Sequence, residues 1–450
     1  MDWETRSFLY FFLACKARFY WMSREGIARY QLKKARQIAR YAVAHAPYFR
    51  ARYQGCDLDD VWHLPTTDKK AMMSHFTEYN TVGLTGEQVM AFCEQVERTR
   101  DFGRRLNGLS VAASSGTSGS RGVEVVTPHE ETYLKSMFFA RFAFLKGAKM
   151  NLAFILRVTS PAINVDRFGH RLTYISQLAP IERIRAQLVE LQPNMVSAPP
   201  SMLRILARER EQGRLDIRPR RLIAYAEVLY PEVQAYLERV FDCPVHQIYK
   251  CTEGAIAMSC AQGRLHINED LIAVQLYNAD GTPTLPGQPC YKMVITDLHK
   301  TSQPIIRYEL NDVITLSEQP CPCGSSFRVI EQIQGRADDL FWGQRADGSG
   351  LQFIFADYVR RAILFASGAV EAYQAIQSAP DRVLVRLAVG EGADKDEVAR
   401  NVQAGIEGVF ATYACRLPRV RVEFASPQVH PTSHKLVRIQ RTFSVPADAL

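Results

Sequence analysis

The sequence predicts an α/β protein in two parts: a large body of β-sheets with flanking helices, then a small α+β C-terminal domain. Three observations carry this. The chain has 450 residues, and at ~100–200 residues per domain that length allows two to four domains. Between about 85 and 340, helical stretches alternate with short β-rich runs, the pattern of α/β architecture. After about 336 the pattern shortens to a single β-α-β unit. We therefore divide the chain into 1–335 and 336–450.

The elements follow in chain order. Residues 25–46 place Ile27, Leu32, Ala35, Ile38 and Ala42 at helical spacing opposite a basic face. Such a face is read as solvated rather than as a membrane or nucleic-acid surface. The runs 221–225, 243–249, 271–277 and 290–296 read as strands, and Asp280-Gly281 is a hairpin signal between the last two. Beyond the boundary, 382–389 alternates like a strand. Residues 394–412 carry Val398, Val402, Ile406, Val409 and Phe410 at helical spacing, and 419–424 alternates again.

Composition narrows the function classes. With 47% hydrophobic and 23% charged residues, the chain is neither disordered nor collagen-like. The longest apolar run, Phe8 to Cys15, is too short for the ~20 residues of a membrane span. Acidic Asp2 and Glu4 before it, and no small-residue cleavage site after it, argue against a signal peptide. Ten scattered cysteines do not form a secreted disulfide framework. The expectation is a soluble, cytoplasmic protein, monomer or homodimer. The formal charge of +8 fits acidic ligands such as nucleotides, although solubility alone would explain it.

The most informative segment is Ser114-Ser115-Gly116-Thr117-Ser118-Gly119-Ser120-Arg121-Gly122. Three glycines and five hydroxyls follow the mostly apolar Leu109–Ala113, describing a strand that ends in a loop. Glycines let backbone N–H groups approach a ligand and the hydroxyls add donors, so the segment suits phosphates. It matches neither the Walker loop nor GxGxxG; the other local reading is a flexible linker. Tyr249-Lys250-Cys251-Thr252-Glu253-Gly254 then sets an aromatic, a hydroxyl and a carboxylate together. The aromatic suits a purine face and the carboxylate suits Mg²⁺. Thr296-Asp297-Leu298 and the 307–312 segment supply further carboxylates, of which Asp312 could accept from ribose hydroxyls. Gly335-Arg336-Ala337-Asp338-Asp339 lies at the inferred boundary, and Ser433-His434-Lys435 lies near the C-terminus. Singly, each also fits a turn, a cap or a surface ion pair. Their order carries the signal.

That order resembles the adenylate-forming (acyl-CoA synthetase-like) superfamily, in particular its phenylacetate-CoA ligase-like branch, over nearly the whole chain. The matching pieces are Pro47–Arg50 (PYFR), Leu64–Lys69 (LPxTDK), the loop 114–122, Ala226-Glu227, the YxxTE end at 249–253, the stretch 263–270, IRYxxxD at 306–312, Cys-x-Cys-Gly at 321–324 and GRxDD at 335–339. The resemblance implies an ATP-dependent, AMP-forming carboxylate ligase. Loop 114–122 would hold the β- and γ-phosphates. Ala226 and Glu227 would lie along the adenine, with Tyr249 stacked near it. Thr252 would sit by the α-phosphate, Glu253 would ligate Mg²⁺, and Asp312 would bind the ribose, with Arg336 close by. Asp338 would be the hinge of a mobile lid. Lys435 would reach the α-phosphate and the substrate carboxylate. The acyl-AMP would pass to a thiol of CoA or a carrier protein.

Two positions depart from the family pattern. Arg121-Gly122-Val123 stands where Pro-Lys-Gly or Pro-Thr is usual, which offers a phosphate a planar fork rather than a point charge. His434 stands where Gly usually precedes the lysine. The Arg-Gly form resembles one clade of adenylate-forming enzymes within the branch and leaves substrate and acceptor open. Cys260 and His266, in a segment the branch places near the same edge as Cys321 and Cys323, would complete a closed, structural zinc site of three Cys and one His. Its alternative is reduced thiols and a core histidine. Phe138, Phe139, Phe142, the 198–201 turn, Tyr225 and Ile248 are the expected acyl-pocket walls. An aromatic acid is the expected substrate, a preference that rests on the branch. Competing readings are transfer to a non-thiol acceptor such as an amine, or a non-catalytic nucleotide- or nucleic-acid-binding protein on the same fold.

Overall fold

The computed structural model describes every residue except 1, 114–120, 143–148, 164–165, 167–168, 230, 279, 289, 291, 311, 334–339, 429–438 and 444–450, and the side chains of 232, 340, 353 and 355–357. By compactness the chain falls into two units, Met1–Ser114 with Val123–Gly335, and Ser115–Gly122 with Arg336–Leu450.

The first unit begins with two long helices, α1 (Trp3–Trp21) and α2 (Arg24–His45), capped by Asp2 and Ser23. Helix α2 buries Ile27, Ala35, Ile38 and Ala42, the face expected from their spacing. Helix α3 (Gly86–Thr99) opens on a Thr85/Gln88 capping box. The hairpin β1 (Ser110–Ala113) and β2 (Val123–Val126) flanks the Ser/Gly segment. Helix α4 (Pro128–Arg141) follows, with a second capping box from Thr127 and Glu130.

Next come β3 (Asn151–Leu156), β4 (Arg171–Ser176), α5 (Ile181–Leu191), β5 (Met195–Ala198), α6 (Pro200–Glu211), β6 (Arg221–Tyr225), α7 (Pro231–Phe241) and β7 (Val245–Cys251). Strands β3 to β7 are parallel. β5 is buried along its whole length, as a sheet packed on both faces requires. Then β8 (Gly254–Ser259), β9 (Leu265–Ile267), β13 (Ile314–Leu316) and β14 (Val329–Ile333) extend the same sheet antiparallel, giving nine strands in the order β13-β14-β9-β8-β7-β6-β5-β3-β4. A separate antiparallel sheet holds β10 (Ile272–Tyr277), β11 (Lys292–Asp297) and β12 (Tyr308–Leu310). The strands flanking Asp280-Gly281 do pair antiparallel. Their connection is longer than a two-residue turn: Gly281, at φ +84°, closes a local turn with Asn278 inside it.

The second unit has the hairpin β15 (Leu340–Gln344) and β16 (Leu351–Phe355), helix α8 (Ala356–Leu364), β17 (Val370–Ala379), β18 (Arg382–Val389), α9 (Lys395–Thr412), β19 (Arg419–Glu423) and β20 (Ile439–Arg441). β18, α9 and β19 make the β-α-β unit read from the sequence, with β18 and β19 parallel. Val398, Val402, Ile406 and Phe410 bury the inner face of α9. Among the described residues, no helix is long and apolar enough to cross a membrane.

Candidate active site

The carboxyl ends of β5, β6 and β7 lie side by side where the large sheet turns from parallel to antiparallel. Open α/β sheets bind ligands outside such strand ends. Tyr225 pairs with Ile248, so one residue further on Ala226 and Tyr249 are neighbours. Ala226 takes the left-handed conformation at φ +69°, which turns the chain sharply off β6. The Tyr249 hydroxyl donates to Asp312 Oδ2 at 2.7 Å. The structure therefore brings together two residues 63 positions apart that the sequence reading assigned to one nucleoside.

Glu253 sits in the tight connection between β7 and β8 and is buried. The Tyr308 hydroxyl donates to its Oε1 at 2.9 Å, and Lys69 Nζ stands 3.9 Å from the same oxygen. Among the described residues, its second oxygen has no protein partner, so a hard cation would find a buried carboxylate oxygen available. Thr252, next to it, is half-buried.

Arg307 fixes this neighbourhood. It is held at φ +48°, its Nε donates to the Leu64 carbonyl, and its guanidinium donates to Gln275 and Tyr277. Its carbonyl accepts from Thr67 N–H. The LPTTDK segment is thereby tied alongside β12, which delivers Lys69 to Glu253.

Glu227 has a different engagement from the adenine edge expected of it. Its two oxygens accept from the backbone N–H and the hydroxyl of Ser201, at 3.1 and 2.8 Å. It thus caps the first turn of α6, whose own N-cap, Pro199, supplies no side-chain bond. Burial raises its carboxyl above the usual range, and the Ser201 bonds oppose that shift. Lys250, between the site residues, is paired with Glu124 at 2.8 Å.

Ser114, Ser115, Gly116, Thr117, Ser118, Gly119, Arg336, Asp338 and Lys435 lie outside the described residues; Arg121 is described and half-buried. The expected pocket aromatics Phe139 and Phe142 are core side chains, packed with Phe8, Met195 and Ile223.

A cavity of about 180 Å³ does open beside Glu253, between α1, α2, α4 and the turn after β11. Lys34, His299 and Lys300 line it with Tyr133. The His299 ring stacks on Tyr133 at 3.9 Å between centroids. Burial pushes His299 down to about 3, so the ring is neutral. Sequence reasoning assigned no role to Lys69, Tyr308 or this cavity. The first two were legible as members of the LPxTDK and IRYxxxD matches. Nothing in local sequence announced the cavity.

Cys260, His266, Cys321 and Cys323 converge on one point, with all four ligand atoms within 4.8 Å of one another. Cys260 Sγ and Cys321 Sγ are 3.7 Å apart, and Cys323 Sγ is 3.4 Å from His266 Nε2. Tetrahedral zinc with Zn–S of about 2.3 Å and Zn–N of about 2.0 Å needs separations of about 3.5–3.8 Å. The Phe327 carbonyl lies 2.9 Å from His266 Nδ1, a hydrogen bond that fixes the tautomer leaving Nε2 for a metal. Burial pushes His266 down to about 4 and the Cys323 thiol up to about 12. The four residues fit zinc in type, spacing and second-sphere support.

No family model matches the chain. It is 26% identical over 200 residues to the protein CapK of Staphylococcus aureus, a match spanning 44% of this chain and 42% of CapK. It is 22% identical over 347 residues to a phenylacetate-coenzyme A ligase of Thermus thermophilus, covering 71% of this chain and 72% of that one. Among solved structures, 2-hydroxyisobutyryl-CoA ligase with 2-HIB-AMP and CoA in the thioesterification state superposes with a TM-score of 0.62. That match is 18% identical and covers 94% of this chain and 92% of the other.

Proposed function

We propose that this chain, which belongs to the adenylate-forming superfamily and resembles its phenylacetate-CoA ligase-like branch, uses ATP to activate a carboxylic acid and passes the acyl group to the thiol of CoA. The observation that carries the reading is the Tyr249–Asp312 pair beside buried Glu253, at the carboxyl end of β7.

Asp312 accepts from the ribose hydroxyls, while Tyr249 covers the purine and keeps Asp312 oriented. Ala226 gives the backbone a turn along the adenine edge. Glu227 supports that turn through Ser201. Thr252 donates to the α-phosphate. Loop 114–122, with Arg121, cradles the phosphates, and Arg336 lies by the sugar. Mg²⁺ held by Glu253 would neutralise phosphate charge.

An oxygen of the acid attacks the α-phosphorus, the bond to the bridging oxygen breaks, and pyrophosphate leaves with that electron pair. The thiolate then attacks the acyl carbon and AMP departs. Nothing covalent is asked of the protein, so positioning and charge carry the rate. Residues 336–450 act as the lid, with Asp338 as its hinge and Lys435 delivered to the α-phosphate for the first step only. The acid is aromatic in this reading, from the branch. None of the ten cysteines is in a disulfide, which suits a reducing, cytoplasmic setting. Zinc in the Cys260, His266, Cys321 and Cys323 knuckle is structural, with no open position for chemistry.

ATP–pyrophosphate exchange across a panel of aryl and aliphatic acids tests this. At least one acid should drive exchange, and Lys435→Ala should lower it by ~10²-fold or more with the fold intact. Absence of exchange with every acid would favour a nucleotide-binding protein without catalysis. Exchange that leads to no CoA thioester, but to a product with added amines or carrier proteins, would replace the acceptor.

A further inference from the structure

The cavity beside Glu253 has a charge arrangement that nucleotide binding does not use. Its acids are engaged from within the protein, apart from the second oxygen of Glu253. Glu130 accepts from the N–H groups of Thr301 and Ser302, and Asp297 accepts from those of His299 and Lys300, both at 2.8 Å. Glu124 is paired with Lys250, and Glu253 with Tyr308.

The cations differ. Among the described residues, no carboxylate stands at ion-pair distance from Lys34, Lys300 or Arg18, all of which line the cavity. Lys300 is 7% exposed. Its ammonium therefore meets the cavity rather than bulk water, with only the longer-range fields of Asp297 and Glu130 to balance it. Arg18 lies over the Tyr30 ring at 4.7 Å and leaves Nη1 buried with no hydrogen-bond partner. Lys34 is half-buried, and burial together with Arg18 and Lys33 pulls its ammonium below the usual lysine range. The three cations gather in a partly desolvated space without a carboxylate at ion-pair distance, and an anion entering the cavity would give them a close counter-charge. Beside the carboxylates and the His129 and His299 rings, part of the wall is apolar: Phe11 packs on Tyr133 at 5.0 Å, and Leu271 is buried.

We propose that this cavity binds an organic acid, its acid group held among Lys34, Lys300 and Arg18 and its apolar body against Phe11, Tyr133 and Leu271. A space of about 180 Å³ takes a single-ring acid and not a nucleotide. The acid is either the one that is activated or a second acid bound alongside it. The chemistry of recognition is the same for both.

Fluorine NMR on the full chain without ATP tests the proposal, with 4-fluorobenzoate and 4-fluorophenylacetate as probes. We expect saturable line broadening. Lys34→Met and Lys300→Met should each weaken it roughly tenfold, as loss of a charge-assisted hydrogen bond does. Arg29→Met, an exposed change on the same helix, should leave it unaltered. Lys34→Glu, at a half-buried position, should abolish binding while circular dichroism stays unchanged. Absence of saturable binding by either probe, or equal binding by the Lys34 and Arg29 variants, overturns the proposal. Adding ATP with Mg²⁺ and measuring pyrophosphate then separates the two sources: release with the bound probe identifies the activated acid, and release only with other acids identifies a second one. Because the binding step uses no nucleotide, its failure and that of the ligase reading are told apart.

Discussion

The thiol–imidazole knuckle and the Tyr249–Asp312–Glu253 cluster sit on the same nine-stranded sheet, yet they are finished to different degrees. In the knuckle, four ligand atoms already lie within 4.8 Å of one another, two pairs of them at 3.7 and 3.4 Å, and the contact from His266 Nδ1 to the Phe327 carbonyl points the ring inward. In the other cluster each carboxylate is held by a tyrosine hydroxyl on one side, Asp312 by Tyr249 and Glu253 by Tyr308. A structural site completes its coordination as the chain folds. A site that takes a ligand would hold its groups in orientation and, as Glu253 does, keep one oxygen for the ligand.

The largest effect should come from breaking the finished site. Cys321→Ser should reduce bound zinc from about one per chain to near zero by elemental analysis, and lower the thermal midpoint by about 5–10 °C. An unchanged midpoint in metal-free protein would remove the contrast altogether. At the unfinished site the folded state should survive and activity should suffer. Glu253→Gln should cut pyrophosphate release by about 10²-fold and raise the Mg²⁺ concentration for half-maximal rate. Asp312→Ala should raise the KM for ATP by about 10-fold or more. Tyr249→Phe, which removes only the orienting hydroxyl, should raise it by about 5-fold, because Asp312 keeps its own bonds to the ribose. Equal losses for Asp312→Ala and Tyr249→Phe would mean that the pair acts as one unit.

The smallest effect is on pH dependence, at Asp297. Burial raises its carboxyl to about 6 against the N–H bonds from His299 and Lys300. The native chain then keeps a proton that the unfolded chain releases, so Asp297 favours folding at low pH, and its contribution is lost as pH rises from about 4 through about 6. Urea midpoints measured at pH 4, 5 and 7 should show this slope in the wild type and lack it in Asp297→Asn.

How much of this was written in the sequence varies with the length scale of the signal. The β-α-β unit at 382–423 was legible because alternation and helical spacing are local. Ala226 and Tyr249 were placed by a motif, and the register of β6 with β7 sets them side by side. The Glu227 contact with Ser201 was not readable, because that partner is the first turn of a helix 26 residues earlier. The cavity was also hidden. Lys34 looked like one more charge on the basic face of α2, and only the packing of α4 and the turn after β11 closes a space in front of it.

One contact has a kinetic consequence. Phe19, on the inner face of α1, rests against Phe327 at 5.3 Å and His266 at 5.2 Å. About 300 residues separate the first pair, so a ribosome adding ~5–20 residues per second makes the helix long before its seat exists. For roughly 15–60 s Phe19 lacks its Phe327 seat, although Phe8, elsewhere on the same helix, meets Phe139 much sooner. A newborn chain should therefore lean on holdase chaperones during that interval.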